Sequence, residues 1–243
     1  MTGTFINVAA ILIGGIIGLI FGSRIPERYK STVIAGMGLF TMAMGLQMFL
    51  KSNNQLIVLG ALLIGALLGE WIGIEDGLQT LGETLEKRFS RNANPIDQTL
   101  DKSASNSRFV RGFMVTSLLF CIGPMAILGS LQDGLTGDYK LLAVKSTLDG
   151  FGAIAFASTL GVGVLFSSFM VLIYQGGISL LAGQLSAIVT DPMMAEMTAT
   201  GGVILMGVAL SSLLEIKKIR VGNFLPALAV APLIVWILSF INK

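Results

Sequence analysis

The sequence predicts an all-α polytopic membrane protein of about eight transmembrane helices. Three observations predict it. Charged residues make up 12% of the 243 and hydrophobic ones 53%, whereas a soluble domain carries about 25% charged residues. Apolar runs long enough to cross a hydrocarbon core of ~30 Å, which takes about 20 helical residues, recur from one end of the chain to the other. The basic residues fall mostly in alternate loops, the bias that orients membrane proteins. Residues 1–243 read as a single integral membrane domain.

Segment one is 4–22, followed by the basic stretch SRIPERYK. No basic region precedes it and it is longer than a signal-peptide core, so it is expected to be retained with its N-terminus outward. Segment two is 31–50 and segment three 55–73, with Glu70 and Trp71 at an expected interface. In 74–89 the apolar residues Ile74, Leu78, Leu81, Leu85 and Phe89 recur every three or four positions among charges. That pattern is an amphipathic surface helix. Residues 90–107 are polar, contain Pro95 and lack apolar periodicity, so 74–107 reads as this helix plus a polar cytoplasmic linker.

Segment four is 109–131, with a kink expected at Gly123-Pro124 because proline removes a backbone hydrogen bond. The stretch QDGLTGDY then reads as an acidic loop. The apolar region 141–189 is too long for one crossing: at 1.5 Å per residue it would reach roughly 73 Å. It divides into segment five, 141–160, and segment six, 163–188, at Gly161 and Gly163. Segments seven and eight are 193–214 and 222–241.

Loop charge tests the count. With eight crossings, one side holds Arg24, Arg28, Lys30, Lys87, Arg88, Arg91, Lys102, Arg108, Arg111, Lys217, Lys218 and Arg220, twelve basic residues, and the other only Lys51, Lys140 and Lys243. Seven crossings would give ten against five. The positive-inside rule therefore favours eight helices with both termini extracytoplasmic. A faint internal similarity, GGIIGL at 14–19 with GGISLL at 176–181 and GLFTM at 38–42 with GVILM at 202–206, suggests that helices 1–3 return as an inverted repeat in 6–8.

Composition also excludes chemistry. The chain has no histidine, which removes His-based metal sites, Ser-His-Asp triads and His proton relays, and no nucleophile motif or carboxylate pair replaces them. An enzyme is not expected, no cofactor is implied, and the identity of any bound metal is open. Net charge is +2 with bases confined to loops, so nothing points to nucleic acid. The single Cys121 reads as a packing residue.

The polar residues inside the apolar runs are the candidate site. Lys145 and Asp149 lie one turn apart within segment five and can pair on one face. Each costs roughly 2.5–3.5 kcal/mol at mid-bilayer on insertion scales, so both need a partner, a cavity or a ligand. Asp149 is the sharper candidate, since Lys145 can snorkel to an interface. Ser146 shares their turn. Ser130-Leu-Gln-Asp133-Gly134 parallels Ser146-Thr-Leu-Asp149-Gly150, each a polar cluster beside a glycine that permits unwinding, so Ser130 and Asp133 join the ion or solute set. The competing reading leaves Asp133, with Asp138, in a solvated loop. Tyr174 and Gln175 in segment six are hydrogen-bonding candidates, and Gly123, Pro124 and Gly150 are candidate helix breaks. Asn7 and Gln47 are weaker candidates. The four-residue glycine stripes 14/18/22 and 65/69/73 are packing faces. They could meet within one chain or across a homodimer, and a homodimer is the expected assembly.

SLLFCIGPMAILGSLQDGLTGD at 117–138 and KSTLDGFGAIAFASTLGVGV at 145–164 resemble the bacterial YdfK/YqgA-like family, domain of unknown function 554. YQGGISLLAG at 174–183 and NVAAILIGGIIGLIFG at 7–22 are similar to it as well. The resemblance implies a multi-pass inner-membrane protein and brings no catalytic residues. The expected function is a secondary transporter of an ion or small polar solute with its site between segments four to six. The alternatives are a channel, or a scaffold in which Lys145–Asp149 is structural.

Overall fold

A computed structural model describes residues 1–22, 24–90 and 102–241. Among the described residues every regular element is helical. The helices are α1 (Thr2–Gly22), α2 (Glu27–Phe49), α3 (Gln55–Ile72), α4 (Ile74–Ser90), α5 (Lys102–Cys121), α6 (Pro124–Thr136), α7 (Lys140–Leu160), α8 (Gly163–Leu180), α9 (Ala182–Ser186), α10 (Asp191–Val208) and α11 (Ala227–Ile241). Seven stretches are each long and apolar enough to cross a membrane, and α5 with α6 passes the same test as one broken span, bent by 62°. The chain is a polytopic, all-helical membrane protein.

The broken pair crosses the whole bundle. Phe109, near the start of the broken span, packs on Gly163, the first residue of α8, while Gly134 near the end of α6 packs on Ser179 and Ala182 at the other end. The two pieces together thus run the length of α8, and counted as one span they bring the candidate crossings from seven to eight. Gly22 of α1 meets Ser158 of α7, near the Gly163 end, so the basic loops after α1, α3 and α10 gather there too.

The break itself follows from two residues. Gly123 takes φ +152°, which side chains with a Cβ rarely adopt, and Pro124 opens α6 where its missing N–H costs nothing. The helix is interrupted rather than merely kinked. Gly161, φ +85°, caps α7 and makes the uncharged turn into α8, at the expected glycines.

The glycine stripes close the bundle from within. A methyl group at Gly14, Gly18 or Gly22 would overlap backbone of α7 at Gly150, Ile154 or Ser158. One at Gly65 or Gly69 would overlap Ala227 or Asn223. Since Gly3 also meets Leu142, α1 and α7 run parallel over their full length. Gly45 of α2 and Gly202 of α10 meet backbone to backbone.

Several boundaries differ from the expectation. Helix α5 begins at Lys102, inside the predicted linker; residues 91–101 lie outside the described residues. The QDGLTGDY loop is mostly helix, because α6 continues to Thr136 before Gly137 caps it in the left-handed conformation. Segment six ends at Leu180 and continues as the short α9. Segment seven finishes as a π turn over Ala209–Leu213, and segment eight is preceded by a 3₁₀ turn at Val221–Phe224. The amphipathic helix and the first three spans stand within a few residues of their predicted limits.

Candidate functional site

Four helices, α1, α6, α7 and α8, meet around a buried polar core. Lys145 and Asp149 lie one turn apart on α7, and the Lys145 ammonium pairs with Asp149 Oδ2. Asp149 lies nine residues into α7, roughly 13 Å along the helix, too deep for a short carboxylate to reach water. Its second support comes from α1, where Asn7 Nδ2 donates to Asp149 Oδ2 at 2.9 Å. The same amide donates to Gln175 Oε1 of α8 at 3.3 Å. Three helices are thus joined through one asparagine.

These groups are not fully satisfied. Asn7 Oδ1 and Gln175 Nε2 are buried and have no hydrogen-bond partner. Asn7 and Gln175 are both 0% exposed. An unpaired polar atom in an apolar interior costs on the order of 1–3 kcal/mol. Orphaned groups beside a carboxylate are therefore the expected mark of a site that receives a ligand or water.

The α5–α6 break lies alongside. Phe120, in the last turn of α5, packs on Gly152 of α7, about one turn beyond Asp149, and edge-on against Phe156, about two turns beyond it. Gly129 of α6 packs on Leu142 at the start of α7. The irregular backbone at Gly123 is thereby held at the depth of the Lys145–Asp149 turn. Non-helical backbone at membrane depth is tolerated where it is buried in protein or lines a cavity.

One turn further out lies a second level. Asp133 of α6 is 3% exposed and accepts the backbone N–H of Gly3 through Oδ2 at 2.9 Å. Its Oδ1 lies 3.2 Å from the Met1 amino group. Ser179 Oγ donates to the Ser130 carbonyl at 2.9 Å. Asp133 is therefore a buried intramembrane carboxylate, not a solvated loop residue. Asp138 is exposed, as its loop position predicts.

Other predicted residues take plainer roles. Ser146 Oγ bonds back to the Leu142 carbonyl at 2.6 Å and is satisfied within its helix. Tyr174 is half-buried and makes no hydrogen bond among the described residues, so it does not join its neighbour Gln175. Gly150 does not break α7; it packs against Ala10 of α1. Gly134 likewise stays helical, against Ser179. Thr4, Ser179 and the central role of Asn7 were not legible as a site, because single small polar residues in apolar runs are common. Their burial only becomes visible once α1 is packed on α7.

The remaining polar clusters tie loops. Glu196 of α10, 1% exposed, accepts from Ser52 Oγ and from the backbone N–H groups of Asn53 and Asn54, fixing the α2–α3 turn. At the opposite end Glu70 pairs with Arg220 and Asn223, and Glu75 accepts from Gly222 N–H at 2.6 Å. Burial pushes the Glu75 carboxyl above its ordinary range, against the opposing pull of that N–H and of Arg220. A cavity of about 800 Å³, lined by Glu75, Glu83, Glu86, Arg111 and Lys218 among others, opens at this basic end, remote from Asp149.

A family model described as "Protein of unknown function (DUF554)" matches residues 2–236. The chain is 33% identical over 229 residues to "Uncharacterized protein YqgA" of Escherichia coli K12, covering 94% of each. It is 31% identical over 242 residues to "Uncharacterized membrane protein YdfK" of Bacillus subtilis 168, covering 98% of this chain and 97% of that one. No solved structure matches.

Proposed function

The chain belongs to the DUF554 family, and from that premise we propose that it is a secondary transporter of an ion or small polar solute across the bacterial inner membrane. The observation that carries this reading is the pair of orphaned amide groups, Asn7 Oδ1 and Gln175 Nε2, beside the buried Lys145–Asp149 pair. A purely structural ion pair is stable when its surroundings are satisfied; leaving two amides open next to it makes sense where a ligand completes them. In this proposal Asp149 binds the cationic or proton-bearing part of the cargo, and Lys145 holds its charge when the site is empty. Asn7 and Gln175 complete the hydrogen bonding. The Gly123-Pro124 break supplies the irregular backbone from which one half of the bundle can move against the other.

Both termini would face outward, with the basic loops cytoplasmic. The inverted repeat is part of the same proposal. In its support, each expected equivalent pair, α1 with α8, α2 with α10 and α3 with α11, packs antiparallel. A homodimer would have to use faces other than the glycine stripes, which are occupied inside the chain. That occupation also weakens the scaffold reading, which relied on those faces for partners.

The test is a thermal-shift screen of purified protein against ions and small polar metabolites, repeated on Asp149→Asn. We expect at least one compound to stabilise the native chain and to lose most of that effect in the variant. A compound that stabilises both equally does not use Asp149, and a screen yielding only such compounds would overturn the site.

A further inference from the structure

We propose a second site, for one alkali-metal cation, at the outer level of the junction between α1 and α6. Three buried oxygen atoms there lack a hydrogen-bond partner, Thr4 Oγ1, Ser130 Oγ and Asn7 Oδ1 (the last shared with the Asp149 site), and a fourth, Asp133 Oδ1, meets only the Met1 amino group, 3.2 Å away. Their residues are 0%, 0%, 0% and 3% exposed. Helical periodicity turns their residues toward the same junction. On α1, Gly3 meets Leu142 of α7 and Gly15 meets Leu165 of α8; Thr4 and Asn7 fall between those two directions on the helix, at 100° per residue. On α6, Gly129 meets α7 and Gly134 meets α8, and Ser130 and Asp133 fall between them in the same way. The bond from Gly3 N–H to Asp133 Oδ2 fixes the two stripes at one level.

The donor set names the ligand class. Two hydroxyls, one amide oxygen and one carboxylate are hard oxygen donors with a single negative charge. Oxygen sets select alkali and alkaline-earth ions, and affinity for divalent ions rises with the number of charged ligands. One carboxylate matches one monovalent charge. Asp149 is paired with the buried Lys145, and Asp133 Oδ1 with the Met1 amino group, 3.2 Å away at a partly exposed rim, which the entering cation would displace. That rim is the entry from the outer side. In the transporter reading, on which this role alone rests, the bound ion is the coupling ion. The binding itself does not need that reading.

The experiment uses the full chain in detergent, melted at fixed ionic strength and pH 7 in sodium, potassium, lithium or choline chloride. Sodium is the probe for binding, read in parallel by equilibrium uptake of radioactive sodium. We expect a saturable rise in melting temperature over choline on the order of 5 °C, with one ion bound per chain. Asp133→Asn and Thr4→Val should each abolish both signals, and Asp149→Asn should keep them. If Asp133→Asn does not fold, Thr4→Val, nearly the same shape, decides alone. Identical melting in all four salts, or a sodium response that survives Thr4→Val, would overturn the site. Sodium binding without any transport would sink the transporter reading and leave this site; transport without sodium binding would do the reverse.

Discussion

At the scale of single residues, the interior is organised by carboxylates that reach across helices. Asp149 holds Asn7, Asp133 holds Gly3 N–H, and Glu196 holds the α2–α3 turn. Each is a group that hydrocarbon penalises, and each bonds to a different helix or loop. Glu75 does the same at the end where the basic loops gather, outside the spans, with its carboxyl pushed up by burial. Arg220, Asp76 and Glu70 are the charges around it. Because its folded pKa lies above the unfolded one, its contribution to stability is complete below the unfolded value and is lost as pH rises through the raised folded value. Melting temperature should therefore fall across that window from acid to neutral pH. Glu75→Gln, which keeps an acceptor for Gly222 but cannot ionise, should flatten this part of the profile; an unchanged slope would show that Glu75 does not set it.

At the scale of elements, glycine does two different jobs, and substitution separates them. In an open helix position alanine is favoured over glycine by up to about 1 kcal/mol. Gly36 has open space beside it, so Gly36→Ala should leave stability unchanged or raise it. Gly14 lies against the Gly150 carbonyl, where the added methyl forces two backbones apart, an overpacking cost of roughly 1–3 kcal/mol. Gly14→Ala should therefore lower the unfolding temperature, and equal behaviour of the two variants would refute the α1–α7 contact.

The same elements mark how far the sequence was legible. The spans, the surface helix and the 161–163 turn are written in apolar length, periodicity and glycine position, which are local signals. The Gly123-Pro124 break was visible as a kink, but not its 62° angle. The solvated-loop reading of Asp133 failed because the run after Leu131 turns polar, and local polarity cannot distinguish a loop from a helix end buried against α1 and α8. Asn7 was underrated for the same reason. Its partners, Asp149 and Gln175, lie 142 and 168 residues away, and only packing brings them together.

At the scale of the whole molecule, the proposed carrier takes the broken α5–α6 pair as one span, the eighth beside seven continuous ones. Single cysteines in a Cys121→Ala background test that topology in intact cells with an impermeant maleimide. Asn53→Cys, Tyr139→Cys and Ile188→Cys should label from outside, while Arg24→Cys and Ile216→Cys should not. Labelling of position 139 together with 24 and 216 would mean that α5–α6 re-enters and does not cross.

The most direct measurement is flux through purified protein in liposomes, driven by imposed ion and pH gradients and screened over small ions and solutes. The account predicts a saturable, gradient-driven flux that Asp149→Asn abolishes and that the exchange of Lys145→Asp with Asp149→Lys does not restore. A flux restored by that exchange would reduce the pair to a structural tie. No flux for any cargo, or one indifferent to Asp149, would contradict the claim that this junction carries a solute.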